Sequence, residues 1–135
     1  MVLEDSPERF FERFAEAAFE AEVLPAPMGH PLLEVVVPGG LLYAFDRGAP
    51  PAPHGRVRLL LHGVARSLGP EPGPPAAELR PGGGYRLRGT VTRAFGEGFF
   101  LLESLAPVLV YAPAPLELGR PLGLELAPPL MGFRP

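Results

Sequence analysis

The stretch that decides the fold class is PGGGYRLRGTVTRAFGEG, residues 81–98. A glycine-rich loop binds phosphate when a helix follows it, because the N–H groups at the helix N-terminus converge on the anion. Here Tyr85 instead begins an alternation of apolar and polar residues, which is typical of a strand, and no lysine follows. The glycines therefore lead into a strand, and the turn at 96–98 predicts an antiparallel hairpin.

Strand signals continue on both sides of this stretch, and no helical pattern separates them. That order excludes a doubly wound parallel sheet, in which helices alternate with strands. Turn residues such as Pro38-Gly39-Gly40 separate the apolar runs and favour short antiparallel connections. Seven strands are predicted, at residues 32–37, 41–46, 56–66, 85–95, 99–103, 108–111 and 122–126.

One helix is predicted before the strands. Ser6 is suited to the N-cap position and Pro7 to the first helical position, and acidic residues crowd the first turn. The predicted helix covers about residues 6–24, and Pro25 ends it. Apolar side chains at three- and four-residue spacing indicate an amphipathic helix: Phe11, Phe14, Ala15, Ala18 and Phe19.

These patterns predict an α+β chain that is mainly antiparallel β. The amphipathic helix precedes about seven strands, which form a small barrel or sandwich. The C-terminal half looks OB-like, with a long first strand that contains Gly89, then a hairpin and a final strand. We expect a single domain over residues 1–135, with strand-rich halves at 32–68 and 85–135 joined by the Pro/Gly-rich segment 69–84.

Composition limits the classes of function. The chain has 135 residues, 47% of them hydrophobic, and a net charge of -3, which indicates a folded domain rather than a disordered one. Cysteine is absent, which excludes disulfides and thiolate chemistry. The lack of Asn, Gln and Cys, with 20 prolines, is a thermophile-like composition. No signal peptide and no long apolar run are evident, so we expect a cytoplasmic protein that makes no membrane contact.

The sequence offers no recognisable enzyme site. The run LLLHG at 59–63 and nearby Ser67 resemble parts of an α/β-hydrolase, but every histidine precedes Ser67, and Pro70 follows where that fold needs a helix. The spacings of His30, His54 and His62 match no metal motif. We therefore expect a non-enzymatic protein without catalytic residues, metal or cofactor.

Arginine placement suggests an anionic ligand. Residues 47–93 contain eight arginines and only two glutamates, whereas residues 1–24 are acidic. Strand alternation places Arg86 with Arg88 on one face, and Arg56 with Arg58 on another. The first hypothesis is a binding module whose arginines hold an anionic ligand, with single-stranded nucleic acid favoured. Its stacking candidates are Tyr43 and Tyr85.

Three alternatives stay open. The arginines are more typical of a solvated outer face, and a sequence pI of 5.6 disfavours a dedicated nucleic-acid binder. The second hypothesis is a structural or regulatory protein that acts through protein contacts or self-association, with Phe10 of the Phe-rich helix as an exposed anchor. The third is a barrel that encloses a small apolar ligand.

Overall fold

A computed structural model describes residues 6–27, 30–114 and 116–135 of the chain. It is mostly β (55%), with one short α-helix and a closed five-stranded barrel with extra strands. The coarse prediction of a helix followed by a small, mainly antiparallel β-barrel is thus confirmed. The α-helix α1 is Pro7–Arg13, a 3₁₀ turn covers Ala15–Ala17, and the strands are β1 (Phe19–Leu24), β2 (Leu32–Val37), β3 (Gly40–Asp46), β4 (Gly55–Pro70), β5 (Ala76–Leu79), β6 (Tyr85–Gly96), β7 (Phe99–Glu103), β8 (Pro107–Tyr111), β9 (Pro121–Leu126) and β10 (Met131–Phe133).

The helix is shorter than predicted. It begins as expected, with Ser6 at the N-cap accepting a hydrogen bond from the Arg9 N–H, but it ends at Arg13 instead of near residue 24. The segment after the 3₁₀ turn is β1, where Ala21 and Val23 are buried between exposed glutamates. Pairing of β1 with β2 and β4 outweighs the helix propensity of its Glu and Ala residues.

The chain divides into two compact units, and the division falls between Leu61 and His62, within β4. The first unit contains the helix, β1 to β3, the start of β4, and β10. Its strands pair in the closed order β1-β2-β3-β10-β4-β1, and β10 is parallel to β3. Alternate residues of β2 and β3 point into its core: Leu33, Val35, Val37, Leu42 and Ala44.

The second unit extends from His62 to Leu130. Here β4, β8, β7, β6 and β9 pair in a closed five-stranded order. Its interior contains buried aliphatic and aromatic side chains from β6, β7, β8 and β9. They include Leu87, Val91, Leu102, Val108 and Leu124.

The strand β5 lies inside the segment 69–84 that was predicted to be a loop or linker. It pairs with the first part of β6, and β7 pairs with the later part. Ser104, directly after β7, lies where the partner of β6 changes from β5 to β7. Its Oγ lies 3.0 Å from the Ala76 carbonyl oxygen and 2.8 Å from that of Arg88. Gly89 belongs to the same junction, where a Cβ would overlap the Glu103 carbonyl group.

Candidate functional site

Two of the predicted ligand-binding arginines, Arg86 and Arg88, lie on β6 and point away from the barrel interior. Both already contact a carboxylate. Arg86 donates to Glu71 and, at 3.1 Å, to Glu125, and Arg88 Nη1 donates to Glu71 Oε2 at 3.1 Å. Arg88 Nε also donates to the Pro74 carbonyl oxygen at 2.6 Å. These bonds hold the segment that leads into β5 against β6.

Arg80 extends this cluster. Its guanidinium lies 3.2 Å from Glu78 and 3.6 Å from Glu125. The hydrogen bond that Arg86 donates to Glu125, followed by the charge of Glu71, raises the pKa of Arg86 above its usual value. We call the six side chains the ion-pair ladder, because cations and anions alternate along it: Arg88, Glu71, Arg86, Glu125, Arg80 and Glu78.

The ladder has no net charge, so it is not the bare basic face that the sequence suggested. A cavity of 220 Å³ lies beside it, but Glu71 and Glu78 line that cavity together with Arg86 and Arg88. An anionic ligand entering there would meet two carboxylates and would compete with them for both guanidinium groups. The ladder is therefore better suited to holding β5, β6 and β9 together than to binding an anion.

The other two predicted arginines, Arg56 and Arg58, lie on β4 in the first unit, and both are exposed. Across the β1–β4 pairing, Arg56 is opposite Glu22 and Arg58 is opposite Glu20. Arg58 Nη2 also donates to the Ala15 carbonyl oxygen at 3.0 Å. Acidic residues thus accompany this pair as well.

The two stacking candidates differ in exposure. Tyr85 is only 3% exposed because its side chain points into the barrel, so the ring has no face available to a ligand. Tyr43 points outward from β3 and is partly exposed. The structure thus corrects the prediction for Tyr85 and leaves Tyr43 on an accessible surface.

Phe10 is not an exposed anchor. Its side chain is 2% exposed, and its ring centroid lies 4.5 Å from that of Phe133 and 5.0 Å from that of Phe14. The helix has buried phenylalanines on more of its circumference than the predicted stripe because β10 packs against it. The Phe-rich helix therefore contributes to the core of the first unit.

A surface that the sequence analysis missed lies on the outside of the β2–β3 hairpin. Register pairs Leu32 with Phe45 and Val36 with Leu41, and their side chains point away from the core. Val36 is 40% exposed and Phe45 is 39% exposed. The strand sequences LLEVVV and LLYAFD contain the signal for this surface. A strand with one solvated face has apolar residues at every second position, whereas apolar residues occur on both faces of these two strands.

The neighbouring strands extend this surface. Met131 of β10 is paired with Phe45, and Leu24 of β1 is paired with Glu34 of β2, which is itself opposite Tyr43. We call the set the outer apolar face, and Glu34 is its single charged member. Its residues are Leu24, Leu32, Glu34, Val36, Leu41, Tyr43, Phe45 and Met131.

Another cavity, of 270 Å³, lies in the second unit between β4, β9 and the segment before β9. Leu68 and Leu122 supply apolar lining, and Glu117 and Arg120 form an exposed ion pair at 3.0 Å. The hydrogen bond and charge of Arg120 lower the pKa of Glu117 below its usual value. This cavity opens to solvent. It therefore differs from the third hypothesis, in which the barrel interior encloses a small apolar ligand.

His62 is the one buried polar residue among those described, and its Nδ1 lies 2.9 Å from the Leu109 carbonyl oxygen. Within residues 6–27, 30–114 and 116–135, no group of three His, Cys, Asp or Glu side chains is arranged to hold a metal ion. In the same part of the chain, no helix has the length and apolar character needed to cross a membrane. Comparison with protein-family models, curated proteins and solved structures finds no match for this chain.

Proposed function

We propose that this chain is a non-enzymatic binding module that acts by protein–protein contact through the outer apolar face. The observation that carries the proposal is the composition of β2 and β3, where inward positions fill the core and outward positions, apart from Glu34, are apolar as well. In an antiparallel sheet with one solvated face, the outward positions are ordinarily polar.

The chemistry of the face suits a protein partner. Aromatic residues and methionine are enriched at protein interfaces, and Tyr43, Phe45 and Met131 contribute both kinds here. The outward pairs are closely spaced, because the Asp46 N–H donates to the Pro31 carbonyl and so places Leu32–Phe45 at a non-hydrogen-bonded position. A contiguous apolar patch that is at least partly exposed is typical of an interaction site.

The test measures, by sedimentation, whether wild type and variants at the native protein concentration are part of a larger complex. Fluorescently labelled wild type and the variants Phe45→Ser and Tyr43→Ser are sedimented in a lysate of the source organism. Leu118→Ser is the matched control, because Leu118 is 62% exposed and lies outside the face. We expect wild type and the control to sediment as a larger species and both face variants to sediment as the free protein. Identical sedimentation of all four proteins would refute the proposal.

A second candidate function is the binding of an anionic ligand such as single-stranded nucleic acid. The exposure of Arg56 and Arg58 at alternate positions of β4 favours it. Anisotropy of a labelled single-stranded oligonucleotide, measured at low and physiological salt, tests it. Saturable binding that weakens with salt and is lost in Arg56→Ala/Arg58→Ala, but not in Arg66→Ala, supports this function. Absence of binding at low salt excludes it. The OB-type likeness of residues 85–135 remains a prediction that belongs with this candidate.

A further inference from the structure

We infer that the partner of the outer apolar face is a different protein that presents a lysine or arginine surrounded by apolar side chains, with its cation seated on Glu34. This inference rests on the proposed function and specifies the chemistry of the partner.

Glu34 is at the centre of the face. Leu24 and Tyr43 are its cross-strand neighbours, and Leu32 and Val36 precede and follow it by two residues on β2. All five side chains therefore point to the same side of the sheet. A partner that covers the apolar neighbours must also cover this carboxylate.

Glu34 as a residue is only partly exposed before any partner arrives. Across residues 6–27, 30–114 and 116–135, no hydrogen bond or ion pair joins the side chain of Glu34 to another residue. Removing an ionised carboxylate from water is costly unless a cation or hydrogen-bond donor compensates it. The ring of Tyr43 directly opposite also favours a cation, because aromatic faces attract ammonium and guanidinium groups.

Charge also argues against a second copy of this chain as the occupant. A twofold contact between two outer apolar faces would use the same patch on both subunits. The central glutamates would then approach each other within an apolar contact, where like charges are strongly unfavourable. A partner with a basic centre avoids this repulsion and neutralises Glu34.

Selection from a displayed library of random linear peptides tests the inference. The library is selected in parallel against purified wild type, Glu34→Arg and Glu34→Gln. Binders are assigned to the face when Phe45→Ser abolishes their binding and Leu118→Ser does not. We expect face binders of wild type to be enriched in Lys or Arg between apolar residues, and those of Glu34→Arg to be enriched in Asp or Glu. A basic wild-type binder should lose about tenfold in affinity for Glu34→Gln.

Each other outcome has a defined meaning. Face binders without a charge preference overturn the inference and leave the proposed function intact. A dimer of wild type in sedimentation that dissociates in Phe45→Ser also overturns the inference, because the occupant is then a second copy. Peptides that never map to the face contradict the proposed function itself.

Discussion

Arg134 and Asp46, 88 residues apart in the chain, form a bidentate ion pair in the first unit. Arg134 Nε donates to Asp46 Oδ1 at 3.0 Å and Nη2 donates to Oδ2 at 2.9 Å, and the side chains are only 11% and 12% exposed. Nη2 also donates to the Ala49 carbonyl oxygen at 2.7 Å. The pair thus joins the last residue of β3 to the residue that follows β10.

Removing this guanidinium should destabilise the first unit. Arg134→Ala leaves Asp46 with little water and without its bidentate donor, so we expect a loss of about 2 kcal/mol in the free energy of unfolding. Chemical denaturation measures it. The control is Arg120→Ala, which removes an ion pair exposed to solvent and should change the free energy of unfolding little. Equal losses in the two variants would contradict the structural role of Arg134.

Substitution of Phe10 should lower stability, whereas substitution of Phe45 should mainly weaken partner binding. Phe10→Ala opens a cavity beside Phe14 and Phe133 and should cost about 3–5 kcal/mol in stability. Phe45→Ala removes a side chain that is already 39% exposed and should cost under about 1 kcal/mol while weakening partner binding. Thermal denaturation of both variants provides the comparison. A stable Phe10→Ala protein would mean that the helix does not pack as described.

The ion-pair ladder should depend on Glu71 more than on Glu78. Glu71→Gln weakens contacts with two arginines, whereas Glu78→Gln affects only the exposed contact with Arg80. We expect the denaturation midpoint to fall clearly in Glu71→Gln and to change little in Glu78→Gln. High salt should narrow the difference, because it screens partly exposed charges. A denaturation midpoint that equals the wild-type value in both variants would show that the ladder contributes nothing to stability.

The Glu117–Arg120 pair gives a prediction about pH. Arg120 lowers the pKa of Glu117 in the folded chain, so this pair stabilises the fold above the unfolded pKa and the contribution is lost as pH falls through the folded value. Arg120→Ala should raise the pKa of Glu117 toward its ordinary value, which carboxyl-carbon NMR titration measures directly. An unchanged titration curve would show that the two side chains do not interact in solution.

Seven strands could be predicted from the sequence because period-two alternation and turn glycines are local signals. The missed strands lack them. In β1, Glu20-Ala21-Glu22 continues the series of glutamates that begins in the predicted helix. The strand β5 is only four residues long and lies inside a Pro/Gly-rich segment, and β10 has only three residues. Their formation depends on pairing with distant strands, which a local pattern does not contain.

The candidate site could be predicted only in part. Alternation correctly placed Arg86 and Arg88 on one outward face, but Glu125, which is 39 residues from Arg86, gave no local sign that it would pair there. Tyr85 and Phe10 were misjudged because an aromatic residue suits a core and a binding surface equally well. The outer apolar face was readable from β2 and β3 alone, whereas the addition of Leu24 and Met131 required the fold.

Site-specific photo-crosslinking tests the central claim most directly. A benzophenone amino acid replaces Phe45 in one protein and Leu118 in a control protein, and both are irradiated in cells of the source organism. We expect one discrete protein to be crosslinked at position 45 and to be absent at position 118. The purified partner should then bind wild type and fail to bind Tyr43→Ser. Crosslinks that are the same at both positions, or no crosslink at position 45, would contradict the claim that the outer apolar face binds a protein.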